Sequence, residues 1–276
     1  MRPKKITHFF IHLVLITVGI IWIYPFIWMI FSSLKSNDTF LNSGVNPIPE
    51  EFHWENYKRA WEVANFEGYF INTVIITLSV ILITVSISCL TGYALGRVNF
   101  PGRKAFIVCI VAFTFIPKGY TIIPLYQLII ILGLNDTLLG VIAAESSGAH
   151  VLFILLFTAY FSRIPNEIEE SAMLDGCGFL RTFFNVILPT SKPVIATATI
   201  MQFIWTWSSF LIPLVLTINK PELRTLAVGM TAFTDQYSTD WTGMAAGATI
   251  SLLPVILIFI IMQRFFIEGI SGAVKQ

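Results

Sequence analysis

Charge is what this 276-residue chain has least of. Only 12% of its residues are Asp, Glu, Lys or Arg, about half the roughly 25% of an ordinary soluble domain. Hydrophobic residues make up 55%, and the mean hydropathy is +0.77, so a membrane protein is expected. The formal net charge is +1; the basic footprint of a nucleic-acid binder is missing. Cysteine is scarce as well. Cys89, Cys109 and Cys177 have no C-x-x-C spacing, which speaks against a disulfide framework or a zinc site. A phosphate-binding G-x-x-x-x-G-K-[ST] loop is absent, so the chain carries no fuel site of its own. The glycines at 176 and 178 lack the third glycine of a dinucleotide fingerprint. H-E-x-x-H and G-x-S-x-G are absent too. No cofactor, no metal and no enzymatic activity are expected in this chain. The charged start "MRPKK" precedes an apolar run too long for a cleavable signal peptide.

What the sequence has is long apolar runs. A membrane-spanning helix needs roughly 20 mostly apolar residues. Six spans are expected, at about 9–34, 69–96, 105–124, 137–160, 193–218 and 242–264, in an all-α integral membrane protein forming one transmembrane domain over 1–276. Lys118 is expected to snorkel from the third span toward an interface. Six spans leave both termini on one side. That side carries 11 of the 17 Lys and Arg residues, so the positive-inside rule puts both termini and the 161–192 loop in the cytoplasm. On the other side, "FHWENYKRAW" sets Trp54, Tyr57 and Trp61 at helical spacing, which predicts a short interfacial helix. Pro124 and Gly133 predict a turn and half-helix before the fourth span.

Glu145 stands inside a span. A carboxylate in hydrocarbon is costly, so it is expected to face a water-filled path or to hydrogen-bond a neighbouring helix. Ser146, Ser147 and His150 nearby would suit an intramembrane hydrolase only with a base and an oxyanion site, and no pattern specifies either. In "QFIWTWSSF", Gln202, Trp205 and Ser209 fall on one helical face. That face either lines a polar cavity or packs and meets lipid.

The loop "EIEESAMLDGCGFLRTFFNVILP" interrupts the lipid-soluble pattern. Pro165 and Asn166 start a helix whose first turns carry Glu167, Glu169 and Glu170, where acids suit the helix dipole. Gly176 is placed to end it with positive φ. A second helix presents Leu180, Phe183, Phe184, Ile187 and Leu188 on an apolar side, Pro189 stops it, and Pro193 opens the next span. The first helix suits a groove on a cytoplasmic partner; an ordinary amphipathic surface loop has the same pattern.

These residues resemble the EAA loop, E-A-A-x3-G-x9-I-x-L-P, of permease subunits in binding-protein-dependent ABC importers. Glu170, Ser171 and Ala172 stand at E-A-A, Gly176 follows at the required spacing, and Val186, Ile187, Leu188 and Pro189 complete it. "GYALGRVNFPGRK", "IPLYQLIIILGLNDT" and "GISGAVKQ" look like the carbohydrate branch, specifically its smaller maltose-type permease subunit. The resemblance implies the type I ABC importer permease fold in a bacterial or archaeal cell membrane. It also implies several partners: a second permease subunit, two ATP-binding subunits, an extracellular or periplasmic solute-binding protein, a sugar and the lipid bilayer. Carried over, Glu170, Ser171, Ala172, Asp175, Gly176 and Pro189 would couple the chain to the ATPase. Glu145, Gln202, Trp205 and Ser209 are the residues expected on the substrate path. An ABC permease for polyamine or phosphate fits the EAA spacing equally. An ATP-independent secondary transporter would tend to show inverted repeats, which are not evident.

Overall fold

The computed structural model describes residues 3–63, 65–116, 121–147, 150–235 and 237–274, with side chains except at 3–6, 63 and 265–274. Lys118 lies outside the described residues. In chain order the helices are α1 (Pro3–Ser32), α2 (Asn37–Asn42), α3 (Glu55–Val63), α4 (Phe66–Arg97), α5 (Arg103–Phe113), α6 (Ile122–Ile131), α7 (Leu138–Ser146), α8 (His150–Phe161) and α9 (Asn166–Leu174). Next, α10 (Phe179–Thr182) runs through a π-turn, Phe183–Ile187, into α11 (Leu188–Thr190). The chain then forms α12 (Lys192–Trp207), α13 (Leu211–Leu216), α14 (Leu226–Gly229) and α15 (Trp241–Val274). Among the described residues there is no strand, only a bridge between Thr234 and Thr239.

Three stretches, Thr7–Ser32, Phe66–Arg97 and Trp241–Arg264, are long and apolar enough to cross a membrane alone. Taken together, α7 and α8, bent by 49° to each other, pass the same test of length and composition. Pro25 and Pro254 lie inside α1 and α15 without ending them. The 105–124 stretch is not one helix: α5 stops at Phe113 and α6 begins at Ile122. The 193–218 stretch is also interrupted, between Trp207 and Leu211. The reason is local. Pro213 has no N–H for the Ser209 carbonyl and its ring crowds that oxygen, while Ser208 turns its hydroxyl back to Ile204 O at 2.6 Å.

The backbone divides into two compact units. One comprises Met1–Glu67 and Gly229–Leu253. Here Lys35 is buried, 1% exposed, and its ammonium donates to Ser43 Oγ at 2.7 Å and Asn46 O at 2.5 Å. Burial pushes its pKa below the ordinary lysine value. Asn56 donates to the carbonyls of Ser33 and Lys35, both at 2.8 Å. Arg59 on α3 grips Asp240, just before α15, at 2.7 and 3.0 Å.

The other unit comprises Gly68–Val228 and Pro254–Gln276. It packs α4 tightly against α8. A β-carbon on Gly92 would come within 2.3 Å of Phe157 Cβ, and one on Gly96 within 3.0 Å of Phe161 Cβ. Small residues four apart let two helix backbones touch where lipid supplies no hydrophobic drive. Around this contact, Cys89, Tyr93, Phe153, Phe157, Phe161, Phe183 and Ile187 form one buried cluster. A second joins Ile76, Val80, Ile129, Val141, Ile142 and Leu216.

Candidate functional site

Local sequence builds the 161–192 loop as two short helices around a glycine. Residues Asn166–Leu174 form α9, with Glu167 and Glu169 in its first turn. It ends in a Schellman turn: Cys177 N donates to Ala172 O at 2.9 Å, and Gly176 N to Met173 O at 3.0 Å. Gly176 has φ +80°, a value that costs a glycine little and other residues more. Ser171 Oγ bonds Glu167 O at 2.7 Å, and Ala172 is buried. Glu170 and Asp175 are exposed, with no side-chain partner among the described residues.

One expectation about the second helix needs correction. Pro189 does not stop it; the helix continues to Thr190. An α-helical turn would set Pro189 against the Asn185 carbonyl. Instead the turn before it widens to π geometry, with Leu188 N on Phe183 O. The apolar side is only partly buried. Phe183 and Ile187 are buried, whereas Leu180 and Phe184 are exposed.

The acids of α9 have divergent environments. Beside exposed Glu170, Glu169 turns inward to Arg97, the last residue of α4. Arg97 Nε meets Glu169 Oε1 at 2.9 Å, with the side chains only 6% and 16% exposed. Arg97 Nη1 donates to Ile164 O at 2.8 Å, and Tyr93 OH donates to the same Glu169 oxygen at 3.1 Å. The Tyr93 ring packs against Phe161, Phe179 and Phe183 at centroid distances of 5.4, 5.2 and 4.7 Å. One turn of α4 therefore holds the end of α8, both loop helices and the strap between α8 and α9. Sequence reasoning missed Tyr93, Arg97 and Glu169 as a group. The G-x-x-x-G of Gly92 and Gly96 was a visible signal for the close helix pair; the 72-residue separation of Arg97 and Glu169 left no local trace of theirs.

The residues expected on the substrate path divide. Glu145 and Ser209 come together, with Ser209 Oγ donating to Glu145 Oε1 at 2.5 Å. Both lie at helix breaks, Glu145 near the end of α7 and Ser209 between α12 and α13. Gln202 is buried and spends its amide on Thr206 Oγ1 at 2.7 Å within α12. Trp205 is partly exposed and stacks on Phe153 at 5.4 Å. Trp207 is buried, edge-on to Phe70 at 5.8 Å. Ser147 turns its hydroxyl to Ala144 O at 2.7 Å, and His150 Nδ1 lies 3.4 Å from Ser88 Oγ, so neither forms a serine–base pair with the other. All three cysteines are free, and no metal-binding group of His, Cys, Asp or Glu is found among the described residues.

The family profile described as "Binding-protein-dependent transport system inner membrane component" matches residues 88–272. The chain is 36% identical over 267 residues to "Probable ABC transporter permease protein YurM" of Bacillus subtilis (strain 168), covering 96% of this chain and 87% of that protein. It is 32% identical to "Diacetylchitobiose uptake system permease protein NgcG" of Streptomyces coelicolor, covering 96% and 86%. Among solved structures, a chain of a bacterial ABC transporter "involved in the import of the acidic polysaccharide alginate" superposes with TM-score 0.81 at 23% identity, covering 96% of this chain and 98% of that one. A likeness at that identity establishes the fold alone, the all-helical fold of an ABC importer's membrane chain.

Proposed function

This chain belongs to the family of binding-protein-dependent transport system inner membrane components, and from that premise we propose that it forms half of the pathway of an ATP-driven importer for a sugar or oligosaccharide. The observation that carries the coupling half is α9 with its glycine turn. It presents the exposed, unpaired carboxylates of Glu170 and Asp175 on a helix whose opposite side, through Ala172, is buried. In this reading Glu170, Ser171, Ala172, Asp175, Gly176 and Pro189 form the docking element for a separate ATPase. Six spans, the broken pairs α5/α6, α7/α8 and α12/α13 serving as three of them, put the loop and both termini in the cytoplasm of a bacterial or archaeal cell. A second permease subunit, two ATP-binding subunits and an outer solute-binding protein complete the machine.

Closure of the ATPase pair would carry the docked loop with it, and the attached helices would tilt to reverse the open side of the pathway. Such a change needs contacts that differ between the two states. Glu145 and Ser209, at two helix breaks, are the polar pair best suited to offer hydrogen bonds to sugar hydroxyls, with Trp205 as the aromatic face nearby in sequence. The sugar reading is supported by the diacetylchitobiose relative at 32% identity.

The decisive experiment reconstitutes the importer and measures transport-stimulated ATP hydrolysis. Glu170→Lys should abolish stimulation while the protein still inserts. So should Gly176→Pro, because proline cannot adopt the φ of +80° found there. Unchanged stimulation in both variants would overturn the docking role. Uptake of labelled polyamine or phosphate, with no oligosaccharide uptake, would overturn the sugar assignment alone.

A further inference from the structure

Docking an ATPase moves a membrane helix only if the docked loop is fastened to that helix. A loop hinged freely at both ends would absorb the displacement. We propose that Arg97 is the fastening: a positioning residue that clamps the docking loop to the end of α4, so that movement of the loop is delivered to that helix as one rigid piece. This rests on the coupling role proposed above for the loop.

Three observations carry it. First, Arg97 is an arginine at the very end of an apolar helix, where a basic side chain would ordinarily reach for water. Here it is 6% exposed and turned inward. Second, its fork serves two elements at once, Nε on Glu169 of α9 at 2.9 Å and Nη1 on the Ile164 carbonyl at 2.8 Å. It thereby holds both the docking helix and the strap leading into it. Third, the helix on which it stands has little freedom. At Gly92 the backbones of α4 and α8 are already in contact, and Tyr93 adds a second hydrogen bond to Glu169 at 3.1 Å. Adjacent residues of α9 thus divide the labour: Glu170 faces out, toward the proposed partner, and Glu169 faces in, toward the lever arm.

The geometry distinguishes Arg97 from a generic positive charge. Lysine could neutralise Glu169 but has one nitrogen, which cannot reach Glu169 and Ile164 O as a rigid fork does. The test uses the full importer in proteoliposomes with Arg97→Lys, Arg97→Gln and the double variant Arg97→Gln/Glu169→Gln, the last leaving no buried unpaired charge. Three quantities are read: ATPase retained on purification, basal ATP hydrolysis and substrate imported per ATP. The expected result is retained ATPase and basal hydrolysis in the double variant, with import per ATP reduced roughly tenfold. Arg97→Lys should fall between it and wild type. Wild-type import per ATP in the double variant overturns the inference and leaves the docking role standing. Loss of ATPase binding in the double variant overturns it too, since Arg97 would then shape the docking surface and not the lever. A wild-type chain that retains no ATPase removes the docking role itself, and the inference with it.

Discussion

Two arginine–carboxylate pairs among the described residues hold distant stretches of this chain together, and their surroundings differ. Arg97 and Glu169 are 6% and 16% exposed, and Tyr93, itself packed on three phenylalanines, bonds the carboxylate; Arg59 and Asp240 are 37% and 26% exposed. Asp240 is also a helix cap: it accepts from Gly243 N at 2.9 Å at the start of α15 and from Asn37 at 3.2 Å. Its carboxylate is therefore satisfied by several neutral donors besides Arg59, and water reaches the site. Glu169 has Arg97 and a tyrosine. A buried pair gains little over an apolar packing of equal volume, but removing one partner leaves an expensive orphan charge. A half-exposed pair loses little either way. The buried joint is therefore sensitive to loss of either partner, whereas the exposed clasp is a set of small contacts.

The largest expected effect tests that contrast directly. Glu169→Ala should destabilise the protein by about 3–5 kcal/mol, because Arg97 is left buried without its partner. Thermal unfolding of the detergent-purified chain should show a clear drop in midpoint, and a midpoint equal to that of wild type would remove the distinction between the two pairs. Next comes the packing beneath the joint. Gly92→Ala puts a β-carbon 2.3 Å from Phe157 Cβ and should cost about 1–3 kcal/mol through overpacking. Gly96→Ala, with 3.0 Å to Phe161 Cβ, should be milder. Wild-type midpoints in both glycine variants would mean that α4 and α8 separate easily, contrary to a rigid joint.

The smallest effect belongs to the clasp. Asp240→Asn should cost about 0.5–2 kcal/mol, the range of a lost cap and a surface ion pair. Burial by itself raises the Asp240 carboxyl. The Arg59 hydrogen bonds, the Gly243 N–H and Asn37 outweigh it and hold the carboxyl below the ordinary aspartate value. A depressed folded-state pKa contributes stability that is complete above the unfolded value, about 3.9, and fades as pH falls through the lower folded value. The midpoint difference between wild type and Asp240→Asn should thus be full at pH 7 and shrink below about pH 4. A difference that stays constant down to acid pH would assign the clasp to hydrogen bonding without charge.

Much of this was legible residue by residue. Apolar runs near 20 residues announce helices because backbone groups in lipid must bond within their own segment, and α1, α4 and α15 lie where those runs are. The turn after α9 was readable because Gly176 solves a local problem: the chain needs positive φ there. The interruption of 193–218 was readable in principle from Pro213, but hydropathy averages over a proline and hides it. The π-turn before Pro189 was not readable, since it depends on which side chains the widened turn can bury.

The sequence by itself determined the apolar medium, the helix-forming stretches, the glycine turn and the residue spacing of the 161–192 loop, because each follows from composition or from residues within one or two turns of each other. Only the tertiary structure decided the fate of the charges. It separated Glu169 from Glu170, brought Glu145 to Ser209 and drew Arg97 away from water. Those outcomes depend on which helices approach within hydrogen-bonding distance, and the approach of α4 to α8 at Gly92 sets that distance for the joint.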